Sequence, residues 1–231
     1  MLDTSRVKAI SLDLDDTLWP IWPTIERAER VLHDWLVEHA PMAAALFSNP
    51  AALREIRNHV ADQRPDIKHD LSAVRRESIR LALYRAGEDP LLAGRAFDAF
   101  FAARQQVVLY EDAHDALAVL SARYPLVSLS NGNADLKRVG IDRFFRAAVS
   151  AREFGVGKPD PRIFHAAAGA LEVAPEEVLH VGDDATLDVL GALNAGMQAV
   201  WVNRGDHEWP HPQEPHATVT TLTQLCELLA D

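Results

Sequence analysis

Short, mostly apolar runs recur along the 231-residue chain, and turn-forming residues bound them. Such runs are typical of buried parallel strands, and helical patterns separate most of them. They are Val7–Leu12, Leu126–Leu129, Ala147–Val149, Val178–Val181 and Ala199–Val202, with a further candidate at Ala217–Thr220. Because strands and helices alternate, the sequence predicts an α/β fold built on a doubly wound parallel sheet.

Two of the helices between these strands have recognisable ends. The segment KPDPRIFHAAAGALEV predicts a helix that starts near Pro161, since proline suits the first helical turn. The segment DVLGALNAGM predicts a second helix that ends at Gly196.

The stretch from residue 21 to residue 108 breaks this alternation, because its pattern is almost entirely helical. Turn residues punctuate it near Pro41, Asn49-Pro50, Pro65 and Gly87. We therefore expect an inserted helical domain at residues 21–108, within an α/β domain formed by residues 1–20 and 109–231. The aromatic residues of the insertion are expected to form its core: Trp35, Phe47, Phe97, Phe100 and Phe101.

Composition restricts the partners and the compartment. The chain has 34 acidic against 23 basic residues and a net charge of −11, which disfavours nucleic acid and anionic membrane surfaces. The sequence has no apolar run of membrane-spanning length, and we expect no signal peptide at its start. Cys226 is the single cysteine, so an internal disulfide is impossible. We expect a cytoplasmic protein, and both a monomer and a homodimer remain open.

Two carboxylates follow the first predicted strand. Asp13 and Asp15, in the segment SLDLDDTLWP, point to the same side because side chains alternate along an extended chain. They lie where the strand ends, at the edge where open α/β sheets bind ligands. Carboxylates this close repel one another unless a cation or a shared proton holds them. A bound cation and an ordinary surface turn are both compatible with this segment alone.

Three further segments bring polar groups to the same edge. Ser130 ends the second predicted strand, and the Asn131-Gly132 turn after it adds backbone N–H donors. Lys158 lies just before a predicted helix, where a cation can meet an anion. Asp183 follows the fourth predicted strand. Ordinary turns and solvated charges explain each segment taken singly, but together the segments place one set of polar groups at one edge.

This set of groups suits one chemistry. Ligands that are all carboxylate oxygens suit Mg²⁺, which keeps several waters and is commonly shared with a substrate phosphate. A lysine ammonium and a serine hydroxyl suit the remaining oxygens of that phosphate. The sequence therefore predicts Mg²⁺ as the cofactor and a phosphoryl group as its partner.

The Asp13-Leu-Asp15-Asp-Thr17 segment, Ser130, Lys158 and the segment from Asp183 to Asp188 resemble, in order and context, the four motifs of the haloacid dehalogenase-like (HAD) hydrolases. The resemblance covers essentially the whole chain and implies a Rossmann-like core, with residues 21–108 in place of the C1 helical cap. The stretches DLDDTL, SNGN, KPDPRIF and LHVGDD are similar to the YigB-type branch, associated with flavin mononucleotide (FMN) and related phosphate esters.

The resemblance implies a role for each motif carboxylate. Asp13 would be the nucleophile that forms an aspartyl-phosphate. Asp15 would protonate the leaving alcohol and then activate water. Mg²⁺ would be bound by Asp13, by the backbone carbonyl of Asp15 and by Asp183, with Asp184 next to these ligands.

The remaining motif residues would support the reaction. Ser130, with the Asn131 and Gly132 amides, would hold phosphate oxygens. Lys158 would offset the negative charge of nucleophile and phosphate. Thr17 would support the nucleophile loop, and Asp188 would orient Lys158.

Three other residues are candidates for substrate specificity. Trp19 lies where the chain leaves the strand for the insertion, so that it could stack on a flat ring or simply pack the hinge. His69 and Arg75 lie within the insertion, where they could reach the far end of a substrate or be solvated helix charges.

The function implied by the resemblance is Mg²⁺-dependent hydrolysis of small organic phosphate monoesters, including FMN or a related flavin or pyrimidine phosphate. The alternatives are a 2-haloacid dehalogenase and a phosphomutase of the same superfamily. The dehalogenases of the family lack the second aspartate, because a halide leaving group needs no proton, so Asp15 favours the phosphatase. A binding protein without activity is disfavoured, since every motif residue is present.

Overall fold

The computed structural model describes residues 1–46 and 48–230, with the backbone alone at Pro50 and Ala51. Within these residues six strands form one sheet in the order β3-β2-β1-β4-β5-β6, and every neighbouring pair is parallel. The strands are β1 (Ala9–Leu12), β2 (Leu126–Ser130), β3 (Ala147–Ser150), β4 (Val178–Gly182), β5 (Gln198–Val202) and β6 (Ala217–Val219). The predicted doubly wound α/β fold is confirmed, although β1 begins two residues later than predicted.

The sheet order brings the ends of three strands together. The chain runs from β1 outward to β2 and β3, and then returns to the other side of β1 as β4. Ile10 of β1 is therefore in register with Leu126 of β2 on one side and with Leu179 of β4 on the other. The carboxyl ends of β2, β1 and β4 lie side by side at the point where the winding direction reverses, which is where such sheets bind ligands.

The helices occupy two regions of the chain. They are α1 (Ile21–His39), α2 (Pro41–Leu46), α3 (Pro50–Gln63), α4 (Leu71–Arg85), α5 (Ala93–Arg104), α6 (Ala113–Arg123), α7 (Leu136–Val139), α8 (Ala151–Phe154), α9 (Pro161–Ala170), α10 (Gly191–Asn194) and α11 (Leu222–Leu228). Helix α9 begins at Pro161 as predicted, and the Asp160 side chain caps it by accepting the Arg162 N–H. In the described part of the chain, no helix combines the length and apolarity that crossing a membrane requires.

The second predicted helix is interrupted. Residues Ala185–Leu190 form a wider π-type turn, the short helix α10 follows, and Gly196 ends the segment with a φ of 82°. π-Type turns are rare in proteins and frequently occur at functional sites. This one directly follows Asp183 and Asp184.

Residue contacts divide the chain into two compact units. One comprises Met1–Pro20, Val108–Gly132 and Val139–Asp231, and the other comprises Ile21–Val107 and Asn133–Arg138. In the first unit, a core of β-strand residues packs against α9 and the π-type turn. In the second, Phe97 and Phe100 lie in the core, with Trp35 and Phe101 packed against it. Phe47, also expected in this core, lies outside the described residues.

Candidate active site

The reversal point of the sheet carries the predicted polar residues. Asp13 directly follows β1, and its N–H continues the ladder by donating to the Val181 carbonyl of β4 at 2.9 Å. Ser130 is the last residue of β2, and Asp183 directly follows β4. Three neighbouring strands therefore place these side chains at one edge of the sheet.

Lys158 joins two carboxylates at this edge. Its Nζ lies 2.5 Å from Oδ1 of Asp13 and 2.5 Å from Oδ1 of Asp188. The exposed fractions of the three side chains are 3% for Lys158, 10% for Asp13 and 1% for Asp188. Water therefore screens these charges little, and the ammonium is held between two fixed oxygens.

Burial and neighbouring charges shift the pKa values of all three groups. Burial lowers the pKa of Lys158, but the two carboxylates outweigh this effect and keep the ammonium charged. Burial also raises the pKa of Asp188, but Lys158 and a hydrogen bond from His180 bring it below its ordinary value. For Asp13, burial prevails over the opposing charge of Lys158, so its pKa lies well above the ordinary value. An additional cation beside Asp13 would favour its ionised form.

Asp183 is fixed at both its side chain and its main chain. Thr17 donates its hydroxyl to Oδ1 at 3.0 Å, and the indole N–H of Trp201 donates to the Asp183 carbonyl at 2.7 Å. Burial, together with the charge of Asp188, raises the pKa of Asp183 to about 7. Thr17 thus contacts Asp183, and its support of the nucleophile loop stays a prediction.

Three carboxylates lie close enough to share a metal ion. One oxygen from each of Asp13, Asp183 and Asp188 falls within 4.8 Å of the others. The Asp188 oxygens already accept hydrogen bonds from Lys158, His180 and the Asp184 N–H. Asp13 and Asp183 are therefore the side chains that fit a cation, and burial raises the pKa of both. Because these donors are oxygens, the site fits Mg²⁺.

Asp15 is held by the tryptophan that follows it. The Trp19 indole N–H donates to Oδ1 of Asp15 at 2.8 Å, and the Asp16 N–H donates to the Trp19 carbonyl at 2.8 Å. Asp16 takes a left-handed conformation with a φ of 58° to close this turn. Trp19 is completely buried, so its ring presents no exposed face to a flat substrate. We propose that Trp19 orients Asp15 rather than contacting substrate.

Asn131 fastens the Lys158 loop to the end of β2. Its side chain accepts the Lys158 N–H at 2.7 Å and donates to the Lys158 carbonyl at 2.9 Å. A Cβ added to Gly157 would lie 2.5 Å from the Asn131 amide oxygen, so this approach requires glycine. The Gly132 N–H donates to the Ser130 hydroxyl oxygen at 2.9 Å, which leaves the hydroxyl hydrogen able to donate. Asn131 thus positions Lys158 through its side chain.

The segment after β4 places Asp188 beside the strand end. Asp184 accepts the N–H groups of Thr186 and Leu187 at 2.8 and 2.7 Å, which starts the π-type turn. The Asp184 N–H donates to Oδ2 of Asp188 at 2.9 Å. Gly182 allows this packing, since a Cβ there would lie 2.4 Å from the Asp188 carboxylate. The Asp184 side chain therefore shapes the turn that carries Asp188.

Sequence reasoning missed four residues around this site. Three are buried: Ser11 bonds to His180, His180 bonds to Asp188, and Trp201 donates to the Asp183 carbonyl. The fourth, Arg204, donates to the Thr17 carbonyl and pairs with Asp112. A histidine within the apolar run VLHV was a readable signal, because a buried imidazole requires polar partners. The contacts of Trp201 and Arg204 give no comparable signal, since their partners are distant in the sequence.

His69 and Arg75 belong to the helical unit. His69 lies half-buried in the turn before α4. The Arg75 guanidinium lies 3.9 Å above the Phe100 ring, with Nη1 3.4 Å from Oε1 of Glu29. Burial and the charge of Arg57 lower the pKa of Arg75 to about 9. Arg75 is therefore part of the internal packing of this unit, and a role in specificity stays a prediction for both residues.

A sequence profile of haloacid dehalogenase-like hydrolases matches residues 7–196. The chain belongs to this hydrolase family. The resemblance inferred from the four motifs is thereby confirmed.

Two known proteins that are similar to this chain cover nearly all of it, and a third covers 62% of it. The chain is 35% identical over 232 residues to the 5-amino-6-(5-phospho-D-ribitylamino)uracil phosphatase YigB of Escherichia coli K12, covering 97% of each protein. It is 41% identical over 150 residues to a phosphoserine phosphatase of Thermus thermophilus, covering 62% of this chain and 59% of the relative. The crystal structure of a 2-haloacid dehalogenase from Pseudomonas syringae pv. tomato DC3000 superimposes with a TM-score of 0.91 at 38% identity, covering 97% and 98% of the two chains.

Proposed function

We propose that the protein is a Mg²⁺-dependent phosphatase that hydrolyses small organic phosphate monoesters. The observation that carries this proposal concerns Asp13 and Asp15, two carboxylates of the segment after β1. Each accepts a hydrogen bond from a different, buried donor. Lys158 holds Asp13, and the Trp19 indole holds Asp15. One carboxylate is thus suited to attack and the other to transfer a proton.

The reaction proceeds in two steps, formation of an aspartyl-phosphate and its hydrolysis. An oxygen of Asp13 attacks phosphorus, the bond to the alcohol oxygen breaks, and Asp15 gives that oxygen its proton. Asp15 then takes a proton from water as the water oxygen attacks the aspartyl-phosphate. The products are the alcohol and inorganic phosphate, and Asp13 is regenerated.

Two positive charges reduce the repulsion between the nucleophile and the phosphate. Lys158 remains an ammonium because two carboxylates flank it, so it neutralises charge without taking part in proton transfer. Mg²⁺, held by Asp13, Asp183 and the main-chain carbonyl of Asp15, would supply the second positive charge. Ser130 is placed to donate its hydroxyl hydrogen to a phosphate oxygen.

The 2-haloacid dehalogenase is a second candidate function, since a structurally similar protein bears that name. Both activities require a nucleophilic aspartate, and Lys158 would serve either of them. A departing halide needs no proton, however, so dehalogenation gives a positioned Asp15 no task. The Trp19–Asp15 contact therefore favours the phosphatase. A phosphomutase would use the same two carboxylates and is distinguished by its products.

The proposed substrate class is supported by a relative that spans nearly the whole chain, whose name specifies a phosphorylated ribitylamino-uracil. We propose a small phosphate ester with a flavin-like or pyrimidine ring, and we propose that the helical unit acts as the cap that selects it. For Arg75, the decisive comparison is Arg75→Gln against Arg80→Gln, which alters an exposed arginine of the same helix. A higher KM for the ring-bearing ester in the Arg75 variant alone, with unchanged thermal stability, would support a contact with substrate.

The experiment that tests the proposed function measures phosphate release with Mg²⁺ from a panel of esters. The panel contains the ribitylamino-uracil phosphate, FMN, phosphoserine, sugar phosphates and p-nitrophenyl phosphate, with Asp13→Asn as the control protein. Turnover that Asp13→Asn lacks supports the phosphatase, and transfer of phosphate within the substrate indicates a mutase. Halide release from 2-haloacids without any phosphate release would overturn the proposal.

A further inference from the structure

A buried histidine joins the sheet to the charged groups of the site. His180 of β4 is in register with Ser11 of β1, and neither residue is exposed to solvent. The Nδ1 atom of His180 lies 3.0 Å from the Ser11 hydroxyl oxygen, and Nε2 lies 3.3 Å from Oδ1 of Asp188. The imidazole therefore lies between a hydroxyl on the neighbouring strand and the carboxylate that holds Lys158.

The partners of this imidazole determine where its hydrogen is. An ionised carboxylate only accepts hydrogen bonds, so the hydrogen between His180 and Asp188 must be on Nε2. Burial lowers the pKa of His180, which favours the neutral ring. In a neutral ring with Nε2–H, Nδ1 is an acceptor, and the Ser11 hydroxyl supplies the hydrogen that it needs. The ring thus has one satisfied tautomer.

The packing around His180 keeps the ring in that orientation. Phe164 of α9 meets it edge to face, with ring centroids 5.1 Å apart and planes at 83°. Phe164 is itself fully buried in the core between α9 and the sheet. A ring turned by 180° would place carbon atoms where Nδ1 and Nε2 now lie, and it would leave both Ser11 and Asp188 without a suitable partner.

The orientation of Asp188 matters because its Oδ1 fixes the ammonium of Lys158. This oxygen accepts from both Lys158 and His180, whereas Oδ2 accepts the Asp184 N–H. Without the His180 donor, Oδ1 would accept only from Lys158. Lys158 is a flexible side chain, and Oδ1 is the atom that fixes its position. The ammonium could then shift away from Asp13, which it contacts through the same Nζ atom.

We propose that His180 is a positioning residue for the phosphatase reaction, which donates through Nε2–H to Asp188 so that Asp188 holds Lys158 against Asp13. The inference rests on the proposed function for its kinetic consequence, but the hydrogen-bond arrangement is testable without turnover. Ser11 contributes to the same arrangement, because its hydroxyl donates to Nδ1 in the tautomer that donates to Asp188.

The first test is a long-range ¹H–¹⁵N correlation spectrum of the wild-type protein, with His180 assigned by comparison with a His180→Gln spectrum. We expect a hydrogen on Nε2 and none on Nδ1. A ring with its hydrogen on Nδ1, or with hydrogens on both nitrogens, would overturn the inference. Because this readout needs no substrate, it is unaffected if the wild-type protein hydrolyses none of the esters, an outcome that would overturn the proposed function alone.

The second test compares two substitutions of similar size at one position. His180→Gln keeps an N–H that can reach Asp188, whereas His180→Met fills the space without a donor. We expect His180→Met to lower kcat about 10- to 100-fold, the range for a hydrogen bond to a charged group, with KM for the ester within about two-fold. His180→Gln should stay within about five-fold of the wild-type kcat.

Equal losses of kcat in folded His180→Gln and His180→Met proteins, or no loss in either, would overturn the inference. If His180→Met does not fold, Ser11→Ala replaces it, because it leaves the imidazole in place. We then expect Nε2 to keep its hydrogen, because Asp188 still only accepts, while the ring loses the bond at Nδ1 that helps to fix its orientation. The kcat should therefore fall at unchanged KM, and a wild-type kcat would overturn the inference.

Discussion

Lys158 and Asp13 form a buried ion pair in which the ammonium nitrogen lies 2.5 Å from one oxygen of the proposed nucleophile. The same nitrogen lies 2.5 Å from Asp188, so one cation faces two carboxylates. A third carboxylate, Asp183, has an oxygen within 4.8 Å of an oxygen of each of these two. Three acidic groups and one lysine leave an excess of negative charge, which a divalent cation would balance.

The first prediction concerns Lys158→Met. Removal of one partner from a buried ion pair leaves uncompensated charge, so we expect a loss of about 3–5 kcal/mol in the free energy of unfolding without metal. Mg²⁺ should recover part of this loss, because it supplies positive charge to the same carboxylates. Urea unfolding with EDTA and with Mg²⁺ measures both effects.

Lys8→Met is the matched control for this prediction. Lys8 also pairs with a carboxylate at 2.5 Å, that of Glu177, but the lysine side chain is 63% exposed. Solvent and salt screen such a pair, so the control should unfold close to wild type with or without Mg²⁺. A Lys158→Met protein as stable as the control would contradict the description of this ion pair.

The second prediction concerns the pH dependence of stability in the metal-free protein. Burial raises the pKa of Asp183 from 3.8 to about 7, so the folded state binds its proton more tightly than the unfolded state. This stabilising contribution is complete below about pH 4 and is lost as the pH rises through about 7, with a size on the order of a few kcal/mol. Asp188 acts in a lower window, because its pKa is lowered and its contribution is lost as the pH falls below about 4.

Urea unfolding in EDTA between about pH 4 and pH 7 measures this dependence. Stability should fall with rising pH in the wild-type protein, and it should fall less steeply in Asp183→Asn. Saturating Mg²⁺ should flatten the wild-type slope, because a bound cation favours the ionised carboxylate. A slope that neither Asp183→Asn nor Mg²⁺ changes would contradict the assignment of Asp183 as a metal ligand.

The sequence predicts the sheet well because its signals are local. The apolar runs that become β2 and β4 end within one residue of the predicted positions, and the carboxylates and the lysine follow the predicted elements. The contacts that hold those side chains are not local. Ser11 bonds to a residue 169 positions away, and Arg204 to one 187 positions away, so no pattern in either segment indicates its partner. Trp19 illustrates the same limit, because its burial depends on packing that the turn sequence does not describe.

The third prediction uses the leaving group to examine the Trp19–Asp15 contact. Trp19→Phe keeps an aromatic ring but removes the N–H that donates to Asp15. For an alkyl phosphate, whose alcohol must be protonated as it departs, kcat/KM should fall about 10-fold, since this ratio reports the step in which the alcohol leaves and not the later attack of water. For p-nitrophenyl phosphate it should stay within about two-fold, because nitrophenolate departs without a proton.

Asp15→Asn should show the same selectivity with larger losses, and Trp22→Phe provides the control. Trp22 is 63% exposed, so loss of its indole N–H should leave both substrates unaffected. The measurement is kcat/KM for the alkyl and the aryl ester under one set of conditions. It is made on the wild-type, Trp19→Phe, Asp15→Asn and Trp22→Phe proteins. Equal losses on both esters in Trp19→Phe would indicate that the indole supports folding rather than Asp15.

The fourth prediction concerns two glycines that differ in the space around them. A Cβ on Gly182 would lie 2.4 Å from the Asp188 carboxylate, whereas a Cβ on Gly169, at an exposed position in α9, would meet nothing within 4 Å. We expect Gly182→Ala to lose about 1–3 kcal/mol of unfolding free energy through overpacking and to lower kcat by displacing Asp188. Gly169→Ala should gain about 0.5–1 kcal/mol, because alanine favours the helix, and should keep the wild-type kcat. Urea unfolding and phosphate release on both variants provide the measurements, and a fully active Gly182→Ala protein would show that Asp188 need not lie against the end of β4.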